Sequence, residues 1–341
     1  MKALVAYGNK KVCLEEVKDP EINNDDQVIL KVKGSGICGS DHIFFDDKTV
    51  LDWVRYPVII GHEFAGIVEK VGKNVKDLKV GDHVVVDNYL RCGKCWYCKV
   101  GKYFLCDNHA ELGFTINGGF AEYSVVPQTN LVKIPKNFNF KYAAIIENVA
   151  TALRTCRKVN IKFGDQVVVI GAGPLGALIA LVSKAMGAEV IVVSRGGARL
   201  KRIKKMGFYK VISSVEQDWE SLILKDTDYK GVNIVFEASG SSEPILRATR
   251  IVKKAGKLIL LGVTGGQIAN IDLDRIVLGE IEIIGSISGM GFFEEAIKMI
   301  ENKIINLENV ITHTLSLDEI LKAFKYERDR TEGAIKIVIL Q

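Results

Sequence analysis

Cys92, Cys95, Cys98 and Cys106 fall in one short stretch with the spacing C-x2-C-x2-C-x7-C. Thiolates this close cannot all pair as relaxed disulfides. Four soft ligands can instead close a tetrahedron around Zn²⁺. Such a site leaves no open coordination position, so its metal braces a loop and does no chemistry. Ferredoxin-type iron–sulfur ligation also begins C-x2-C-x2-C, but continues x3-C-P. Here the last gap is longer and Asp107 follows Cys106, which favours zinc.

The chain has 341 residues, enough for two domains of ordinary size. Its 48% hydrophobic and 26% charged residues are globular values. Seven cysteines without a secretory leader predict a reducing, cytoplasmic setting in which thiols are kept for metal. The uncharged run from Gln166 to Ser183 has the length of a membrane span. It is broken by Gly171, Gly173, Pro174 and Gly176, so it reads as strand, turn and helix and no membrane contact is expected. The formal charge of +5 is mild, and Lys and Arg alternate with Asp and Glu throughout. No basic stripe marks a nucleic-acid partner.

Up to about residue 140 the pattern is one of short β segments broken by glycine and asparagine: Gln27–Lys33, Gly66–Val71, Asp82–Asp87 and Ala121–Val126. This predicts an irregular β-barrel whose loops hold the metal residues. From about residue 164 continuous Val/Ile runs alternate with amphipathic helices. Those runs are Val167–Ile170, Val190–Val193, Val211–Ile212, Ile234–Phe236, Lys257–Leu261 and Ile281–Gly285, as expected for a parallel sheet covered on both faces. Helical segments at Phe292–Asn302 and Leu317–Glu327 and a strand at Ile335–Leu340 close the chain. The expected division is a catalytic domain of residues 1–147 and 291–341 around a nucleotide-binding domain of residues 148–290.

Gly171-Ala-Gly173-Pro174-Leu175-Gly176 is a G-x-G-x-x-G turn between a buried strand and a helix, the context that a dinucleotide fold requires. Gly171 permits the tight turn, Gly173 admits the pyrophosphate and Gly176 lets helix and strand pack closely. With Pro174 and Leu175 the helix begins, and its positive dipole end faces the phosphates. At the end of the next strand NAD enzymes place a carboxylate for the ribose. This chain has Ser194 there, followed by Arg195 and, four residues on, Arg199. A hydroxyl and two guanidinium groups suit a 2′-phosphate, so NADP(H) is expected ahead of NAD(H).

A second metal site is suggested by three separated pieces: Cys38 beside the Ser40 hydroxyl; His62 with Glu63; and Glu147 in an apolar stretch. Cys, His and carboxylate with room for water is the composition of a catalytic zinc site. Singly, each has a plainer alternative: a small core cysteine, a satisfied turn histidine, a helix-end charge. Beside the four-cysteine lobe those alternatives lose weight.

At these residues the chain resembles the zinc-dependent medium-chain dehydrogenases/reductases over nearly its whole length. Gly61-His62-Glu63-x2-Gly66-x5-Gly72-x2-Val75 matches their zinc signature, followed by Val80-Gly-Asp-His-Val84, the cysteine lobe, Gly118–Tyr123 and the glycine turn, in the family's order. It is most similar to the polyol and sugar dehydrogenase branch, and the Arg195 and Arg199 pair to that branch's NADP-linked ketose reductases. The resemblance implies an α/β protein, a GroES-like barrel joined to a doubly wound Rossmann sheet. It also implies two zinc ions per chain, the catalytic one held by Cys38, His62 and Glu63. Glu147 is then a fourth ligand or the holder of the metal's water, in a Glu-Asn pair where the branch usually has Glu-Pro. Ser40 is the first acceptor of the substrate proton. The branch's usual relay histidine falls at Ile43, so the outer relay passes to His42 or to solvent. The implied reaction is hydride transfer between the cofactor and the secondary alcohol or ketone of a polyol or sugar. Simple secondary alcohols, an amino alcohol such as threonine, and phosphorylated sugars are the alternatives. A catalytically silent relative is disfavoured because every ligand and Ser40 are present. The Ile281–Gly285 strand reads as a sheet edge in need of cover, so a homodimer or homotetramer is expected.

Overall fold

The computed structural model describes residues 1–46, 53–263 and 265–341. Its first part is built around the long strand Gln27–Gly36, which pairs antiparallel with Glu63–Val71, Tyr123–Pro127 and Lys336–Leu340. Register shifts at Ile29/Leu30 and Val32/Gly34 bend this strand, so different lengths of it serve different partners. The sheet runs Leu131–Ile134, His83–Val86, Glu63–Val71, Gln27–Gly36, Lys336–Leu340, Ile311–Ser316. The last strand of the chain is thus hydrogen-bonded to one of the first, Val338 opposite Gly36. A smaller sheet joins Val12–Glu16, Lys2–Ala6 and Val58–Ile59. The pair Tyr89–Leu90 and Ala110–Glu111 brackets the cysteine segment like a clasp.

The second part is a six-stranded parallel sheet in the order Lys210–Ser213, Glu189–Ser194, Gln166–Ile170, Val232–Glu237, Val252–Leu260, Glu282–Gly285. This is the doubly wound order whose switch point lies beside the first strand. Val167, Val168, Val169, Val190, Val192, Val235 and Phe236 are essentially inaccessible, the burial on both faces that their continuous apolar runs predict. The outer strand is the exception. Glu282–Gly285 is mostly exposed, and Val277 and Leu278 beside it stand in solvent.

The expected strands are present with altered ends: Lys257–Leu261 starts earlier, as Val252–Leu260, while Asp82–Asp87 is trimmed to His83–Val86 and Ile281–Gly285 to Glu282–Gly285. The carboxyl-terminal helical segment begins as a 3₁₀ turn, Leu317–Glu319, before the helix Ile320–Asp329. The short helices Trp96–Lys99 and Phe140–Ala143 were not anticipated, and the longest element not anticipated as a helix is Ile146–Val159. It packs on the helices Pro174–Ala185 and Phe293–Glu301 and is buried along most of its length. One core runs through it from barrel residues Ala65 and Val85 to Val167 and Val169 of the second sheet and Leu178 of the helix Pro174–Ala185. Glu147, Asn148 and Thr151 therefore sit on a rigid rod between the two sheets. No helix among the described residues is long and apolar enough to cross a membrane.

Candidate metal centres and nucleotide cleft

Between the two clasp strands the four cysteine sulfurs lie within 4.8 Å of one another, and none is in a disulfide. Cys92 and Cys98 Sγ are 4.0 Å apart, Cys95 and Cys106 Sγ 3.8 Å. With Zn–S bonds of about 2.3 Å a tetrahedron has edges of about 3.8 Å, so the cage fits zinc. Backbone amides point at the sulfurs: Cys92 N–H donates to Cys106, Cys95 N–H to Cys92 and Cys98 N–H to Cys95. Donation by the Lys94 and Cys95 amides pushes the Cys92 thiol down to about 6, towards the thiolate that a metal needs.

The second cluster is assembled from distant pieces. Cys38 precedes a 3₁₀ turn, Gly39–Phe45, while His62 and Glu63 open the strand Glu63–Val71. Their donor atoms lie within 4.8 Å of one another. Asp41, from that same turn, accepts the Cys38 amide at 2.9 Å with Oδ2 and the His62 Nδ1–H at 3.0 Å with Oδ1. The ring is thereby fixed in the tautomer that leaves Nε2 free as a ligand, 3.9 Å from Glu63 Oε1. Burial lowers the basicity of His62, but Asp41 and Cys38 outweigh it and hold the pKa well above the ordinary value.

Glu63 is fully buried and held from two sides. Asn148 Nδ2 donates to its Oε1 at 2.9 Å, and Lys336, itself 1% exposed, forms an ion pair with Oε2. Lys336 Nζ also donates to the Ile37 carbonyl at 2.8 Å. Burial opposes the charge on Lys336, whereas Glu63 and Cys38 favour it, and the net effect raises its pKa. Gly36 leaves the room this pair occupies: a Cβ there would fall 2.3 Å from Glu63 Oε2. Asp41, Asn148 and Lys336 escaped the sequence analysis as members of this centre. Only Asp41 left a signal, being adjacent to the ligand segment. Lys336 read as one alternation residue of a final strand.

Glu147 stands beside the cluster rather than inside it. Its Oε1 accepts the Thr151 hydroxyl at 2.9 Å and its Oε2 the Asn148 amide at 3.1 Å. Burial, then the neighbouring Glu63 charge, push its carboxyl above the ordinary range. Ser40 is exposed at the start of the 3₁₀ turn. His42 Nε2 meets Glu327 Oε2 at 2.5 Å, with the Phe324 ring edge-on at 5.5 Å.

In the nucleotide turn Gly171 has φ +104, and a Cβ on Gly176 would lie 1.9 Å from the Gly171 carbonyl. A Cβ on Gly173 would meet nothing within 4 Å, leaving open space where a pyrophosphate would come. Pro174 opens the helix at its first turn, and Leu175 follows, half-buried. Ser194 is buried with its hydroxyl on the Arg195 carbonyl, and Arg195 is exposed. Arg199 is already engaged, donating through Nε to the Ala334 carbonyl at 2.9 Å.

An alcohol dehydrogenase GroES-like domain matches residues 24–136, and a zinc-binding dehydrogenase domain matches residues 174–302. The L-threonine 3-dehydrogenase of Pyrococcus furiosus is 33% identical, covering 99% of this chain and 97% of its own. A sorbitol dehydrogenase of Halalkalibacterium halodurans is also 33% identical, over 99% of both chains. A zinc-binding dehydrogenase of Sinorhizobium meliloti bound to NADP superposes with a TM-score of 0.92 at 28% identity, covering 100% of this chain and 99% of that one. The Escherichia coli alcohol dehydrogenase rspB, complexed with NADH, does so with a TM-score of 0.92 at 29% identity and the same coverage. With one donor set closed by four sulfurs, another left open, and a phosphate-accepting glycine turn, the chain belongs to the zinc-dependent medium-chain dehydrogenases/reductases and is a zinc- and NAD(P)-dependent hydride-transfer oxidoreductase.

Proposed function

We propose that this enzyme interconverts a secondary alcohol and its ketone where the neighbouring carbon carries an amino or hydroxyl group, amino alcohols of the threonine type ranking ahead of polyols and sugars. The carrying observation is the open Cys38, His62 and Glu63 set, whose His62 Nε2 is freed by Asp41. The L-threonine 3-dehydrogenase and sorbitol dehydrogenase relatives support the substrate class. Zinc at these donors supplies Lewis acidity towards the substrate oxygen, and the nicotinamide supplies or accepts the hydride. Glu147, outside the tight donor group and itself hydrogen-bonded, suits the holder of a water better than a permanent ligand. Ser40, exposed next to Cys38, takes the proton from the substrate hydroxyl and returns it in the reverse direction. His42 lies farther along the same turn and, paired with Glu327 of the helix Ile320–Asp329, carries the proton outward.

NADP(H) is the favoured cofactor. No carboxylate replaces Ser194 at the strand end, and Arg195 is free to meet a 2′-phosphate. Arg199, tied to Ala334, contributes charge rather than a direct contact. Seven free cysteines suit a reducing compartment. The exposed strand Glu282–Gly285, with Val277 and Leu278 beside it, suits pairing with a second copy in a homodimer or homotetramer.

Absorbance at 340 nm with the zinc-loaded protein tests the reading, using L-threonine, 1-amino-2-propanol, 1,2-propanediol, sorbitol and 2-propanol with NADP⁺ and NAD⁺ in parallel. Turnover of amino alcohols or diols above 2-propanol, with NADP⁺ preferred, supports it. Preference for 2-propanol overturns the substrate class, and a large NAD⁺ advantage overturns the Arg195 argument. Ser40→Ala should cut turnover by about 10²–10⁴-fold with zinc content intact.

A further inference from the structure

Glu111 takes no part in the chemistry described so far, yet it is buried beside the open metal centre. Its backbone is pinned: its amide donates to Thr115 Oγ1 at 2.8 Å, and its carbonyl receives the amides of Phe114, Thr115 and Ile116. The loop so formed presses the Phe114 ring against His62, centroids 5.4 Å apart. In the clasp, Glu111 lies opposite Tyr89. Burial, followed by Glu111, Glu147 and Cys38, pushes the Tyr89 hydroxyl upward, so all three lie within electrostatic reach of one phenol.

No Lys, Arg or His among the described residues forms an ion pair with Glu111, and the one cation that acts on it from a distance is His62, itself a ligand of the open centre. Its one side-chain partner among the described residues is Asn88, whose Nδ2 donates to Oε1 at 2.8 Å. The second oxygen, Oε2, has no partner among the described residues. Asn88 is 2% exposed, and its own Oδ1 has no donor among the described residues. A pinned carboxylate and an orphaned carbonyl therefore stand side by side, both acceptors. Burial raises the Glu111 carboxyl to about 7 against the opposing pull of His62, and the Asp87 carboxyl to about 7 against the Tyr89 amide, with the Glu147 charge adding to both shifts. A buried carboxylate with no cationic partner is expensive unless a ligand brings one. A substrate hydroxyl has one proton to give and brings lone pairs to a wall of acceptors. An ammonium has three donors, no lone pair and a full positive charge.

We propose that Glu111, oriented by Asn88, is the specificity-determining carboxylate of the cleft and binds the ammonium group of an amino-alcohol substrate whose neighbouring carbinol is oxidised. The inference rests on the reading of the Cys38, His62 and Glu63 centre as an alcohol-oxidising site. It narrows the substrate to one that is cationic next to the reacting carbon.

The test compares 1-amino-2-propanol with 1,2-propanediol, which share a carbon skeleton and differ in the ammonium. Steady-state kinetics are measured on zinc-loaded wild type, Glu111→Gln and Glu111→Asp. Calorimetric titration of both compounds into protein carrying NADPH gives the affinities without turnover. The wild type should favour the amine at least tenfold in kcat/KM and in affinity. Glu111→Gln should erase that advantage, chiefly through KM, while still binding two zinc ions per chain. Glu111→Asp, which keeps the charge, should restore part of it. Equal handling of amine and diol by the wild type overturns the proposal, as does an advantage that survives Glu111→Gln. Should the wild type oxidise neither compound, the substrate reading fails, and calorimetry alone still decides whether Glu111 selects the ammonium.

Discussion

The two metal centres are built in opposite ways. The four-cysteine lobe draws every ligand from Cys92–Cys106, and its supporting hydrogen bonds come from amides of the same stretch. The open centre draws on residues from Cys38 to Lys336, and each ligand is oriented by a group from another part of the chain or the adjacent turn. A local site needs the metal to hold its loop, because nothing larger holds it. A remote site is held by the fold, which can then leave a coordination position open and keep charges buried. Stability is spent in one and preorganised in the other.

The sharpest way to break this contrast is at Lys336. Lys336→Met leaves Glu63 charged, buried and without its counterion, and should cost about 3–5 kcal/mol of global stability. Urea unfolding measures this, and a change within error would show that the open centre does not depend on the strand that closes the barrel. Asp41→Asn comes next. Asn has one acceptor oxygen where Asp41 serves two donors, the Cys38 amide and the His62 Nδ1–H, and losing one of these supports should weaken zinc at that centre about 10–100-fold. The lobe should keep its metal, which competition with a chelator followed by metal analysis would resolve. Cys98→Ser makes the complementary cut: one zinc equivalent per chain should be lost and one retained, with a lower thermal midpoint. Loss of both would mean that the two centres are not independent.

The smallest effect concerns the His42–Glu327 pair, which joins the ligand turn to the helix Ile320–Asp329. Burial disfavours the His42 charge, but Glu327 outweighs it, so the folded pKa is raised. Burial likewise disfavours the Glu327 charge, but His42 outweighs it and the folded pKa is lowered. The histidine's contribution is fully present below its unfolded pKa of about 6.5 and disappears as pH rises through the raised folded value. The glutamate's is present above about 4.3 and disappears as pH falls through the lowered value. Chemical denaturation against pH should show about 1 kcal/mol of extra stability between those limits in wild type and none in His42→Gln.

Much of this was legible in the sequence because the relevant forces act over short spans. The cysteine spacing, the Val/Ile runs and the strand–glycine–helix turn each need only a few neighbouring residues to declare themselves. Arg199 shows where that stops. Its spacing from Arg195 placed both near one phosphate, yet the turn Thr331–Gly333 packs against its helix and claims the guanidinium for the Ala334 carbonyl. The helix Ile146–Val159 was obscured for another reason: its packed side carries Glu147, Asn148, Thr151 and Thr155 beside apolar residues, so residue type does not mark which face is buried.

The sequence by itself determined two metal-binding donor sets, a dinucleotide turn and an α/β architecture, because ligand type, spacing and hydrophobic period are local properties of a chain. Only the tertiary structure decided how the charges are balanced. Lys336 against Glu63, Asp41 behind His62 and Glu111 with Asn88 are pairings between segments that meet only on folding. Burial gives them their force. In water each charge would be solvated and indifferent to the others, whereas the closed barrel removes that solvent and makes every partner count.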